Sequence, residues 1–217
     1  MPRLQRFENR QEAGKALAEA LKRRIEEHDV LVLGLPRGGV PVAAEVAQAL
    51  NAPLDVLNVR KLGVPGQPEV AMGAIAEGGT RVLNESLIRA LDISPRDIDR
   101  ISALEQTTLE ERAARFRGNR PEPEISGRIV VLIDDGLATG ATMEVAIKVL
   151  RAQGAGRIIV AVPVGPAGTA ARFSTQADDC VCLLEPSNFQ AVGQWYERFT
   201  QVSSDEVCRL LAEANGR

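Results

Sequence analysis

Val130-Val131-Leu132-Ile133-Asp134-Asp135-Gly136-Leu137-Ala138-Thr139-Gly140-Ala141-Thr142 is the stretch that decides the fold. Four apolar residues in a row suit a strand buried on both faces of a parallel sheet. Two adjacent acids end the run, and a turn of small residues follows. Thr139, Gly140, Ala141 and Thr142 let backbone N–H groups close around an anion, and the helical pattern behind them adds its positive dipole end. The acids stand just outside the carboxyl end of the strand, where open α/β sheets take their ligands. A ligand carrying both phosphate and sugar hydroxyls is expected there.

Working outward, the pattern alternates strand and helix. Gln11 to Glu27 places Ala13, Leu17, Ala20, Leu21 and Ile25 on one helical face, with His28 at its end. Val30 to Leu35 reads as a strand, Pro36-Arg37-Gly38-Gly39 breaks it, and Val40 to Leu50 returns to helix. Leu54 to Val59 is the next strand, so this unit predicts two parallel strands. Lys61 to Val70, with Gly63, Pro65, Gly66 and Pro68, reads as a mobile loop. Ala71 to Ala76 and Arg81 to Leu83 read as strands around a Gly78-Gly79 turn. Asn84 to Arg117 is helical in two pieces, the second opened by the cap Ser94-Pro95-Arg96-Asp97. Its charge suits a solvated insertion or a homodimer contact. Gly118 to Gly127 is a linker, and Gly140 to Gln153 is the helix of the opening stretch. Arg157 to Val162 and Cys180 to Leu184 are further strands, Ala170 to Thr175 a short helix and Ser204 to Asn215 a closing helix. The whole predicts an α/β fold with a mostly parallel central sheet flanked by helices.

Composition narrows the function. The 217 residues suit one domain with an inserted subregion, and the net charge of −3 gives no general pull toward nucleic acid or an anionic membrane. Met1 to Lys15 has no apolar core of the kind a signal peptide needs, and Ile158 to Val164 is too short to span a bilayer. Cys180, Cys182 and Cys208 form no metal spacing. Cys180 and Cys182 share a strand face and read as buried reduced thiols, which places the chain in the cytoplasm. With His28 as the sole histidine, a His-based zinc site and a Ser/His triad are excluded. There is no Gly-x-Gly-x-x-Gly after a strand and no Walker Gly-Lys-Ser/Thr, which speaks against a nucleotide-binding oxidoreductase or an ATPase.

Val130 to Thr142 resembles the signature of the type I phosphoribosyltransferases, enzymes that use 5-phosphoribosyl-1-pyrophosphate (PRPP). Strand, acid pair and Thr-Gly loop follow in the family's order without a gap. Gly136 departs from it, since the family more often has an aliphatic residue there. The resemblance implies the type I fold over residues 1–217, with a helical insertion at 84–120 and a small C-terminal hood at 185–202. It implies that Asp134 and Asp135 grip the ribose hydroxyls and that Ala138, Thr139, Gly140, Ala141 and Thr142 cradle the 5-phosphate. Arg37, Gly38 and Gly39 correspond to the pyrophosphate loop, where Arg37 supplies a cationic fork. Arg60 and Lys61 correspond to basic residues that face the same diphosphate.

The aromatics of this aromatic-poor chain cluster near its C-terminus, as Phe189, Trp195, Tyr196 and Phe199. Trp195 and Tyr196, with Val164 at a strand end, are therefore read as the acceptor pocket, or else as a small satellite core. Relatives that bind 6-oxopurines commonly carry a lysine in the turn after Val164, and none stands between Val162 and Arg172.

The reaction so implied moves phosphoribosyl from PRPP to a nitrogen acceptor, a nucleobase or similar small molecule, and releases pyrophosphate. Mg²⁺ is expected as cofactor, held mainly by PRPP and water and by no dedicated protein ligands. The other reading is a PRPP-sensing regulator without catalysis, binding RNA through a basic face of Arg112, Arg115, Arg117 and Arg120.

Overall fold

The structure is a computed structural model that describes residues 6–26, 29–118 and 120–216. Along the chain run α1 (Arg10–Lys22), β1 (Val30–Gly34), α2 (Gly39–Leu50), β2 (Leu54–Val56), β3 (Val59–Val64), β4 (Gln67–Ala76) and β5 (Arg81–Leu83). After them come α3 (Glu85–Ala90), α4 (Pro95–Arg117), β6 (Ile129–Ile133), α5 (Ala141–Ala152), β7 (Arg157–Val164), α6 (Thr169–Phe173), β8 (Asp179–Leu184) and α7 (Ser204–Asn215). Five strands form one parallel sheet in the order β2-β1-β6-β7-β8. Val30 to Leu33 and Val130 to Ile133 are buried throughout, as strands covered on both faces must be.

The order reverses between β1 and β6. From β1 the chain moves outward to β2, and from β6 it moves the other way to β7 and β8. Helix α2 packs on one face, with Val40, Val42 and Val46 against Val131 and Ile133. Helix α5 packs on the other, with Met143, Ala146 and Leu150 against Leu132 and Val160. The connections after β1 and β6 therefore lead to opposite faces of the sheet, and the switch point between these strand ends is where this topology binds ligands.

Two expectations for residues 54–70 are corrected. Leu54 to Val59 is not one strand. The chain leaves the parallel sheet after Leu57, whose N–H donates to the Gly34 carbonyl at 3.1 Å. Buried Asn58 then bonds Glu77 at 3.2 Å, and β3 joins a separate antiparallel sheet, β3-β4-β5. Lys61 to Val70 is not a loop but most of a hairpin, paired from Val59↔Ala76 to Val64↔Gln67. Its turn is Pro65-Gly66, with Gly66 at φ 76°. Leu62, Val64 and Met72 pack on Ile88, Ile98 and Leu109, so tertiary burial sustains strands that Gly63, Pro65 and Pro68 mask in the sequence.

Helices α3 and α4 separate at Ser94, whose hydroxyl accepts from the Asp97 N–H at 3.1 Å. Helix α1 ends at Lys22, earlier than its apolar pattern suggests. His28 lies outside the described residues. Of the basic face read from Arg112, Arg115, Arg117 and Arg120, Arg117 is withdrawn into the fold while Arg112 and Arg115 stay exposed. Arg117 is buried, with Nε 3.0 Å from Asp55 Oδ2 and Nη2 2.6 Å from Glu77 Oε1, while Arg115 pairs with Asp205 on α7 at 3.3 Å. These pairs tie the end of α4 to β2, to Glu77 and to α7. Cys180 and Cys182 are unpaired thiols, and burial pushes both up to about 12. No helix among the described residues is long and apolar enough to cross a membrane.

Candidate active site

The loop after β1 touches the end of β6 through Gly38 and Gly39. Leu35 N–H donates to the Ile133 carbonyl at 2.8 Å and ties the two strand ends together. A Cβ on Gly39 would stand 2.6 Å from the Ile133 carbonyl oxygen and 2.9 Å from Asp134 Cα. A Cβ on Gly38 would overlap the Asp135 carboxylate. Both glycines are needed for close approach, not for backbone angle, since Gly38 sits at φ −61°, ψ −35°. The Pro36–Arg37 peptide is cis, and Arg37 is exposed at the mouth of a cleft of about 400 Å³. Asp134, Asp135 and Gly38 line the same cleft.

The acid pair is electrostatically loaded. Asp134 Oδ1 accepts the Asp135 N–H at 2.9 Å, which fixes the turn. Burial first, and then the Asp135 charge, pushes the Asp134 carboxyl well above the usual carboxylate range. Burial raises Asp135 as well, against the pull of Arg10, whose Nε lies 2.8 Å from Asp135 Oδ2. Tyr196 donates its hydroxyl to the Asp135 carbonyl at 2.6 Å, and burial drives that phenol upward.

Beyond the acids, residues 138–142 form an open turn at the N-terminus of α5. Gly140 caps the helix at φ 74°, ψ 5°. Thr139 Oγ1 accepts the Ala141 N–H at 3.3 Å. Arg172 braces the turn from outside, donating to the Thr139 carbonyl at 2.8 Å and to Glu144 Oε1 at 2.7 Å. The first turn of any α-helix leaves N–H groups without intrahelical acceptors, which suits an anion at such a terminus. Gly140→Val should destabilise the protein by roughly 1–3 kcal/mol, because a branched residue is strained at positive φ. The added Cβ would also meet Phe173 Cζ at 2.7 Å. Urea unfolding checks this, and an unchanged midpoint would contradict the cradle geometry.

The C-terminal segment closes over the strand ends. Trp195 and Tyr196 are buried with Phe7, Ala13 and Val164 in a small core, so neither ring faces the cleft. The aromatic residue that lines the cleft is Phe199, 38% exposed. Val192 accounts for Gly136, since a Cβ there would lie 2.6 Å from Val192 Cγ1. An aliphatic residue at 136 does not fit beneath this segment. Arg60 pairs with Glu105 of α4, and Lys61 is exposed on β3, so both lie outside the cleft that Arg37 and the acids share. Among the described residues no group of three or more His, Cys, Asp or Glu side chains converges on a metal position.

Arg10 is a cleft residue that sequence reasoning missed, whereas Phe199 belongs to the C-terminal aromatic cluster, in which sequence reasoning pointed to Trp195 and Tyr196 instead. One signal for Arg10 existed. It stands on the buried stripe of α1 with Ala13, Gly14, Leu17, Ala18 and Leu21, where a charge needs a partner. Arg172, which braces the turn at 138–142, gave no such signal.

The phosphoribosyl transferase domain profile matches residues 4–200 of this chain. The chain belongs to the phosphoribosyl transferase family. Proteins of two Mycobacterium tuberculosis strains, provisionally named phosphoribosyl transferases, are 51% identical to it over 209 residues, which is 96% of this chain and 47% of theirs. The chain thus spans about half the length of these curated relatives. The crystal structure of TT1426 from Thermus thermophilus shares 44% identity and superposes with a TM-score of 0.87, over 96% of this chain and 99% of that one. The likeness to TT1426 thus runs through nearly all of this chain.

Proposed function

We propose that this chain transfers the 5-phosphoribosyl group of PRPP to a nitrogen atom of a small-molecule acceptor and releases pyrophosphate. The contact between the Gly38-Gly39 turn and the Asp134-Asp135 step at the switch point carries this reading. It makes one crevice with acids at its centre, an anion turn at 138–142 on one side and the Arg37 loop on the other. That sequence of chemistries matches a ribose with phosphate at one end and diphosphate at the other.

Asp134 and Asp135 accept the ribose hydroxyls, residues 138–142 hold the 5-phosphate, and Arg37 faces the diphosphate. Lys61 would reach the diphosphate only through movement of the β3–β4 hairpin. In the reaction the C1–O bond breaks and its electron pair leaves with the diphosphate. The acceptor nitrogen supplies the pair for the new C–N bond and loses a proton. Positive charge grows on the ribose, so an ionised acid beside it and cations on the leaving group lower the barrier without a protein nucleophile.

Two acids beside a diphosphate suit a Mg²⁺ ion carried by donor oxygens and water. When bound, the ion would offset charge on the diphosphate. Residues 185–202 serve as a hood on the acceptor side, with the Phe199 edge and half-buried Phe189 as its aromatic surfaces.

A screen of nucleobases and small amines with PRPP and Mg²⁺, scored by pyrophosphate release, tests the reading. Acceptor-dependent release that Asp134→Asn abolishes is expected. PRPP binding without release from any acceptor would favour the sensor reading, and absence of PRPP binding would overturn both.

A further inference from the structure

Both ends of the chain meet at one acid. Arg10 begins α1, and its side chain is 10% exposed. Its Nε donates to Asp135 Oδ2 at 2.8 Å and its Nη1 to the Thr200 carbonyl at 2.7 Å. The guanidinium carbon lies 3.9 Å from the centre of the Phe199 ring. Phe199 stacks in turn on Tyr196, with ring centres 5.0 Å apart. Three contacts therefore hold one cation in place: a carboxylate, a carbonyl and a ring face. The charged or titratable groups facing Asp135 are Arg10 from α1, Asp134 beside it, Tyr196 from the C-terminal segment and Arg37 across the cleft. Helix α2 presents only the side-chain-free Gly38 and Gly39.

We infer that Arg10 is a positioning residue of the donor site, holding the Asp135 carboxylate ionised and turned to accept a ribose hydroxyl. This rests on the donor reading given above. Two adjacent, desolvated carboxyls resist carrying two charges and tend to share a proton. A protonated Asp135 would offer a hydrogen where the ribose hydroxyl needs an acceptor. Arg10 breaks the symmetry of the pair, so Asp135 keeps the charge and Asp134 takes whatever proton remains. Phe199 and Thr200 keep the guanidinium from turning to solvent, which gives the C-terminal segment control over the charge state of the acid step.

The test uses wild type, Arg10→Gln and Arg10→Lys, each first checked for a cooperative thermal transition. Carboxyl-carbon NMR of the ligand-free proteins should show the Asp135 midpoint moving to higher pH in Arg10→Gln and back toward wild type in Arg10→Lys. Calorimetry with PRPP and Mg²⁺ should show Arg10→Gln losing affinity on the order of tenfold more at about pH 6 than at about pH 8.5, relative to wild type. Taking the ratio to wild type cancels the titration of PRPP itself. A loss equal at both pH values, or an Asp135 midpoint that stays put, overturns the role of Arg10 while leaving the donor reading intact. No heat from wild type overturns the donor reading, and the NMR result then still decides whether Arg10 sets the charge of Asp135.

Discussion

Gly38→Ala is expected to lower the affinity for PRPP by about 10- to 100-fold while the protein stays folded. The backbone at Gly38 is already helical, at φ −61° and ψ −35°, so alanine brings no strain of its own. Its methyl group would instead occupy the place of the Asp135 carboxylate. Asp135 must then turn away, which breaks its bond to Arg10 and removes an acceptor from the ribose site. The lost charge-assisted hydrogen bond from ribose to Asp135, at about 1.5–3 kcal/mol, gives a loss of that size. Calorimetry reads the affinity and a thermal melt reads the fold. Wild-type affinity in Gly38→Ala would separate the two loops functionally and contradict the site. Gly39→Ala should behave differently, because its methyl group would press on the Ile133 carbonyl and Asp134 Cα, which cannot rotate away.

Arg117→Leu should be the most destabilising single change, at about 3–5 kcal/mol, because it strands two buried acids. Asp55, on β2, and Glu77, after β4, both depend on this guanidinium, and the side chains of all three are 10% exposed or less. Burial already raises Glu77 above its ordinary value, and Arg117 opposes that shift. In the variant Glu77 rises further. A carboxyl raised in the folded state contributes stability below its unfolded pKa and loses it as pH rises through the folded one. The deficit of Arg117→Leu should therefore be larger near pH 8 than near pH 5. Denaturant unfolding at both pH values measures this, and a deficit independent of pH would mean that Glu77 is not the acid left stranded.

The sequence carried the parallel core because its signals are local. Val130 to Ile133 is a buried run, Gly38 and Gly39 mark a turn, and Ser94-Pro95 marks a helix start. Each depends only on the residues within a few positions of it. The β3–β4 hairpin was less legible. Gly63, Pro65, Gly66 and Pro68 are loop formers by composition, and only the apolar surface of α3 and α4 makes strands of them. Trp195 and Tyr196 were legible as aromatics but not as interior ones. Their burial depends on Phe7 arriving from the other end of the chain, where it pairs with Tyr196.

By itself, then, the amino-acid order determined the strand-end acids, the small-residue turn at 138–142 and the glycine loop opposite, since each is written in adjacent residues. Tertiary structure alone decided who controls the charge of those acids. Arg10 reaches Asp135 across 125 positions and Thr200 across 190. No local period encodes such a meeting. It exists because α1 and the C-terminal segment pack side by side over the same strand ends, where a buried cation and a buried carboxylate each lower the cost of desolvating the other.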